Sequence, residues 1–132
     1  MSAGYSGTPL ARKLGVKDGQ RSWRLAMPDS VAAGIDATPL LLDQPETGLE
    51  MAHVFTTRRA ELEAELGRLR TLIDPAGMVW VSWPKKASKV ETDITEDVIR
   101  AVALPLGFVD VKVCAVDAVW SGLKLVIRKE LR

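Results

Sequence analysis

The stretch MVWVSW at 78–83 most constrains what this chain can fold into. It is apolar on both of its faces, as a strand must be when helices cover a sheet on each side. It follows closely on an amphipathic segment. Leu62, Leu66, Leu69 and Ile73 step by four, three and four residues, which sets them on one helical stripe. Arg58, Glu61, Glu65 and Arg68 occupy the other faces. Thr56 or Thr57 is placed to cap this helix, and Asp74-Pro75-Ala76-Gly77 makes the turn into the strand. A helix running by a short link into a doubly covered strand is the repeating unit of a parallel α/β sheet.

The rest of the chain supplies partners for that unit. Thr8-Pro9 reads as a helix start and Gly15 as its stop, giving a short helix over 9–14. RSWRLAM at 21–27 alternates, with Trp23, Leu25 and Met27 on one face, and is a strand ended by Pro28-Asp29. LEMAHVF at 49–55 is a second strand, whereas 30–48 gives no clear pattern. After a polar loop, Asp93 and Glu96 have capping-box spacing ahead of a helix with Ile94, Val98 and Val102 on one stripe, ending near Pro105-Leu106-Gly107. VDVKVCAV at 109–116 alternates with Asp110 and Lys112, so one of its faces is expected to be solvated. LKLVIR at 123–128 is the last strand, joined by a link too short for a crossover helix, so these two strands are antiparallel neighbours. The expected architecture is a small three-layer Rossmann-like α/β sheet of about five strands, mostly parallel, with the last strand antiparallel. One domain is expected over 1–132, with 1–7 (MSAGYSG) as a mobile arm able to act as a lid.

Composition narrows the function classes. Eighteen basic and 17 acidic side chains leave a net charge of +1, which gives no support for nucleic-acid binding through a global positive field. No window reaches the roughly 20 apolar residues of a membrane span. The single cysteine, Cys114, precludes an internal disulfide and points to the cytoplasm. With His53 the only histidine, a metal site of the Cys/His type has too few ligands, and no metal is expected.

Two resemblances bear on the fold. A strand and helix leading through Asp74-Pro75-Ala76-Gly77 to a buried strand, then a helix ending near Leu106-Gly107-Phe108 and an antiparallel pair, is similar to the C-terminal half of S-adenosylmethionine-dependent methyltransferases. The resemblance implies a last strand inserted antiparallel beside the 78–83 strand. Those enzymes hold the methyl donor with a glycine-rich loop after the first strand and an acidic residue ending the second. Here Met27 is followed by Pro28-Asp29-Ser30-Val31-Ala32-Ala33-Gly34, and no G-x-G occurs anywhere, so no cofactor is expected. The chain also resembles a bacterial family known as domain of unknown function 3052. The resemblance lies in Gly4-Tyr5-Ser6-Gly7-Thr8-Pro9-Leu10, Val81-Ser82-Trp83-Pro84-Lys85-Lys86-Ala87-Ser88, Val111-Lys112-Val113-Cys114-Ala115-Val116-Asp117 and Trp120-Ser121-Gly122-Leu123-Lys124. It implies no activity.

In an open α/β sheet, ligands bind beyond the carboxyl ends of the parallel strands. The loop there after Trp83 brings Ser82, Trp83, Lys85, Lys86, Ser88 and Lys89 together just before a helix start. Ammonium groups and hydroxyls beside a helix N-terminus suit a small anionic ligand, although Asp93 would compete for that helix end. Trp120 and Ser121, on the turn before the last strand, are expected on the same side, facing the lysines. A solvated loop and a tryptophan plugging the core are the plainer readings of these features. His53 reads as a core histidine and Cys114 as an inert thiol; a His53–Ser82 dyad would need a short distance and a third orienting group. No residue is assigned a catalytic role. The first expectation is therefore a binding or regulatory module without catalysis. A small transferase acting on an anionic substrate is the second, and a homo-oligomeric module using the apolar face of a terminal strand the third.

Overall fold

A computed structural model describes residues 8–132. The doubly apolar stretch lies within β4 (Ile73–Pro84), the longest strand, with β3 (Leu49–Phe55) beside it in parallel and β6 (Trp120–Ile127) antiparallel on its other side. Outside β3 come β1 (Arg21–Leu25) and a two-residue β2 (Leu40–Leu41), both parallel; outside β6 comes β5 (Phe108–Ala115). The sheet order is β2-β1-β3-β4-β6-β5. Since β6 is antiparallel to both neighbours, β5 runs the same way as β4, and the last strand is the inserted antiparallel one. The sixth strand, β2, falls in the segment that the sequence pattern left unread.

Strand alternation sorts the core into two layers. Trp23, Ala52, Val54, Val79, Val81, Trp83, Leu123 and Leu125 face α3 (Arg59–Leu72) and α4 (Glu96–Leu106). The α3 stripe behaves as its spacing requires: Leu62, Leu66 and Leu69 are fully buried, each contributing roughly 1.5–3 kcal/mol. On α4 the buried residues are Ile99, Val102 and Ala103, and Val98 is only half-buried, so the stripe is rotated from the expected one. Gly107 closes α4 with φ +103°. Met51, Phe55, Trp80 and Val116 face the thinner opposite layer, built from α1 (Leu10–Leu14) and α2 (Asp29–Ala33). Trp80 crosses that layer to donate its Nε1–H to the Leu14 carbonyl at 2.8 Å.

Several local expectations change. The cap of α1 is Pro9 with no side-chain bond, and Gly15 ends the helix at φ +78°. The Asp74-Pro75-Ala76-Gly77 turn is a bulged start of β4, with the Ala76 N–H donating to Asp74 at 3.0 Å. The 93–96 pair is not a capping box. Thr95 caps α4 by accepting from Val98 N–H, and Asp93 instead accepts from Arg59 N–H at 2.7 Å, capping α3 across space. Both Val111 and Val113 of β5 are exposed along with Lys112, because β5 is an edge strand that α4 covers only at its start. The proposed arm over 1–7 lies outside the described residues.

Candidate functional site

The carboxyl ends of β3 and β4 open beside the start of α4. There Trp83, Pro84, Lys86, Lys89, Val90, Thr92, Ile94 and Thr95 line a cleft of about 560 Å³, with Glu91 and Glu96 on its rim. Its floor is apolar, from Trp83 (8% exposed) and Ile94 (2% exposed). The Lys86 and Lys89 ammonium groups make no ion pair or hydrogen bond among the described residues. Glu96 is held by Arg100, which also binds Asp97 and Asp110. Of the two rim carboxylates, only Glu91 is without such a partner among the described residues.

The eight residues singled out from sequence do not form one cluster. Adjacent residues of a strand point to opposite faces, so Ser82 and Trp83 part company, as do Trp120 and Ser121. Trp83, Lys86 and Lys89 line the cleft. Lys85 turns away from it: its Nζ donates to the Asp117 carbonyl at 2.6 Å and its N–H to the Val119 carbonyl at 2.7 Å, which pins the turn between β5 and β6. Ser88 closes its own 3-10 turn by donating to the Lys85 carbonyl at 2.6 Å. Ser121 pairs with Trp83 across β6 and β4. Trp120 lies on the opposite face, edge-on to Phe55 with ring centroids 5.1 Å apart.

Ser82 is fully buried on that second face, and its Oγ is 2.7 Å from Nε2 of His53, itself 1% exposed. The short distance is met, but the third orienting group is absent: His53 Nδ1 has no hydrogen-bond partner among the described residues. Burial, and then the positive charge of Arg24, lower the His53 pKa from 6.5 to about 3, so the ring is neutral. A nucleophile with no exposed surface cannot meet a substrate, and the pair is a core contact. Burial also raises the Cys114 pKa, which keeps the thiol protonated.

No family model and no curated protein matches the chain. Solved structures do. Fibrillarin from Aeropyrum pernix, with natively bound S-adenosyl-L-methionine, superposes with a TM-score of 0.57 at 12% identity, over 93% of this chain and 70% of that one. LepI in complex with S-adenosylmethionine gives 0.57 at 10% identity, over 90% of this chain. Magnesium protoporphyrin IX methyltransferase from Synechocystis gives 0.51 at 18% identity, over 75% of this chain. The fold is that of S-adenosylmethionine-dependent methyltransferases. This chain spans only 39% of the LepI chain and 50% of the Synechocystis chain. The absence of a family match leaves the resemblance to domain of unknown function 3052 without support from these comparisons.

The fold makes S-adenosylmethionine the ligand to test against these residues. The turn after β1 does not fit it. Ala26 takes a left-handed φ of +56°, Met27 packs into the second core layer, Pro28 has no N–H to offer, and α2 has only five residues. No glycine permits close backbone approach there. An acidic residue does stand beyond β2: Asp43, exposed, two positions after its end. It escaped the sequence reading because a two-residue strand carries no periodicity.

Proposed function

We propose that this domain binds a small anionic ligand with an apolar body in the cleft between β4 and α4. One observation carries the reading: Lys86 and Lys89, free of ion-pair partners among the described residues, flank a floor made by Trp83 and Ile94. Cations that no protein carboxylate neutralises attract an anionic oxygen, and the indole and isoleucine reward burial of an apolar group beside it. The first turn of α4, an 11-residue helix, adds the free N–H groups of a helix start. The rim carboxylate of Glu91 biases the cleft toward ligands of low negative charge.

Naphthyl phosphate combines both features and serves as the probe. It is expected to raise the melting temperature of the domain saturably. The Lys86→Ala/Lys89→Ala double variant should bind it at least tenfold more weakly while its unliganded melting temperature stays unchanged. No shift with the native domain, or an equal shift with the double variant, would overturn the reading.

A second reading, a transferase acting on an anionic substrate, is favoured by the shared fold, since one of these three neighbours is a methyltransferase by name and all three hold S-adenosylmethionine. It requires a donor held without the glycine turn. Saturable binding of S-adenosylhomocysteine by calorimetry supports this reading; its absence at millimolar concentration removes it.

A further inference from the structure

Glu91 and Thr92, which line the β4–α4 cleft, also line a second pocket of about 400 Å³, completed by Thr57, Arg58 and Asp93 beyond the carboxyl end of β3. The two cavities are neighbours across this shared wall, one with an apolar floor and the other polar. The wall is fixed in place: the Thr57 carbonyl accepts from the Thr92 hydroxyl at 2.8 Å and from the Asp93 N–H at 3.3 Å. Arg58, Glu91 and Asp93 are exposed, so the pocket is open to solvent. Charges of both signs line it, yet they do not meet. The Arg58 side chain forms no ion pair or hydrogen bond among the described residues, so it pairs with neither carboxylate. Asp93 commits one oxygen to the Arg59 N–H, which already caps α3, and the unmet groups are therefore side chains rather than the helix end.

Opposite charges that share a pocket without pairing are satisfied together by a ligand that carries both. A bare anion is disfavoured there by the two carboxylates, and a bare cation by Arg58. A carboxylate accepts from the guanidinium fork, and an ammonium next to it donates to Glu91 and Asp93. An α-amino acid head holds those two groups on one carbon. Resting on the reading of the cleft as a site for an anion with an apolar body, we infer that its ligand is a free amino acid. The side chain is apolar and ends in the anion, and the zwitterionic head lies in the Arg58 pocket. The anion then sits at Lys86 and Lys89, the apolar body over Trp83 and Ile94, and the head beyond Glu91. Glu91, on the wall common to both cavities, sets the specificity: it repels a simple anion and attracts an ammonium.

O-phospho-L-tyrosine carries all three parts, and phenyl phosphate lacks the amino-acid head. Calorimetry at pH 7 should give O-phospho-L-tyrosine at least tenfold tighter binding than phenyl phosphate. Arg58→Met breaks no side-chain bond within the domain and should bring O-phospho-L-tyrosine down to the affinity of phenyl phosphate. Glu91→Gln should act on the two probes differently, weakening O-phospho-L-tyrosine severalfold while phenyl phosphate binds as tightly or more tightly. If phenyl phosphate binds and O-phospho-L-tyrosine is no tighter, or if its advantage survives Arg58→Met, the amino-acid head is overturned and the cleft reading stands. If neither probe binds, both are overturned.

Discussion

His53 Nε2 and Ser82 Oγ meet at 2.7 Å between two buried side chains on neighbouring strands, with no exposed path for a substrate. The contact makes Ser82 the partner that keeps a neutral imidazole tolerable inside the sheet. Ser82→Ala removes it and leaves both ring nitrogens unpaired. The expected loss is about 1–3 kcal/mol in denaturant unfolding. A serine-reactive fluorophosphonate should fail to label the native protein; labelling at Ser82 would restore the dyad as chemistry.

The neutral histidine also makes stability depend on pH. Its pKa in the folded chain is about 3, against 6.5 for a free ring. Between those values the unfolded chain takes up a proton that the folded chain refuses. Stability from this group is therefore fully present above pH 6.5 and is lost as pH falls toward 3, by up to about 1.4 kcal/mol per pH unit. In chloride buffer free of phosphate and carboxylate, the drop between neutral pH and about pH 4.5 should shrink by about 2 kcal/mol in His53→Gln. An equal drop in both proteins would assign the acid sensitivity to carboxylates instead.

Gly122 on β6 lies beneath the Trp80 ring. A Cβ there would stand 3.1 Å from Trp80 Cε3 and 3.2 Å from Val116 Cγ2, and the ring cannot retreat while its Nε1–H is bonded to Leu14. Gly122→Ala is expected to cost about 1–3 kcal/mol through overpacking, with a shifted tryptophan emission spectrum. Unchanged stability would mean that the α1 layer yields more easily than its packing implies.

Lys85 and Lys86 are adjacent in sequence and should behave oppositely. Lys85→Met breaks the bond to the Asp117 carbonyl and should cost about 0.5–1.5 kcal/mol. Lys86→Met should leave stability within about 0.5 kcal/mol and weaken only ligand binding. Equal effects on unfolding would contradict the separate roles.

Asp93 caps a helix that begins 34 residues before it. Asp93→Ala should destabilise by about 0.5–2 kcal/mol and Asp93→Asn by much less, read as the denaturant midpoint. If both are neutral, Thr56, which accepts from Arg58 N–H at 3.2 Å, suffices as the cap.

The sequence by itself determined the elements whose physics is local. Three leucines at helical spacing make α3, the fourth expected position, Ile73, opening β4 instead, and a doubly apolar run makes the heart of β4. The link between β5 and β6, too short for a crossover, forces the two strands into an antiparallel pair. Tertiary structure alone decided which of two neighbouring side chains faces which layer. It sent Ser82 to His53 and Trp83 to the cleft, Trp120 to Phe55 and Ser121 to the other face. It moved Asp93 from the helix it precedes to one it merely approaches, because Thr95 lies closer to the start of α4 and takes that cap. It also brought Arg24 beside His53, a pairing set by strand order. Periodicity reports how each segment is buried, but strand order depends on how the segments' buried faces combine, and no single segment contains that information.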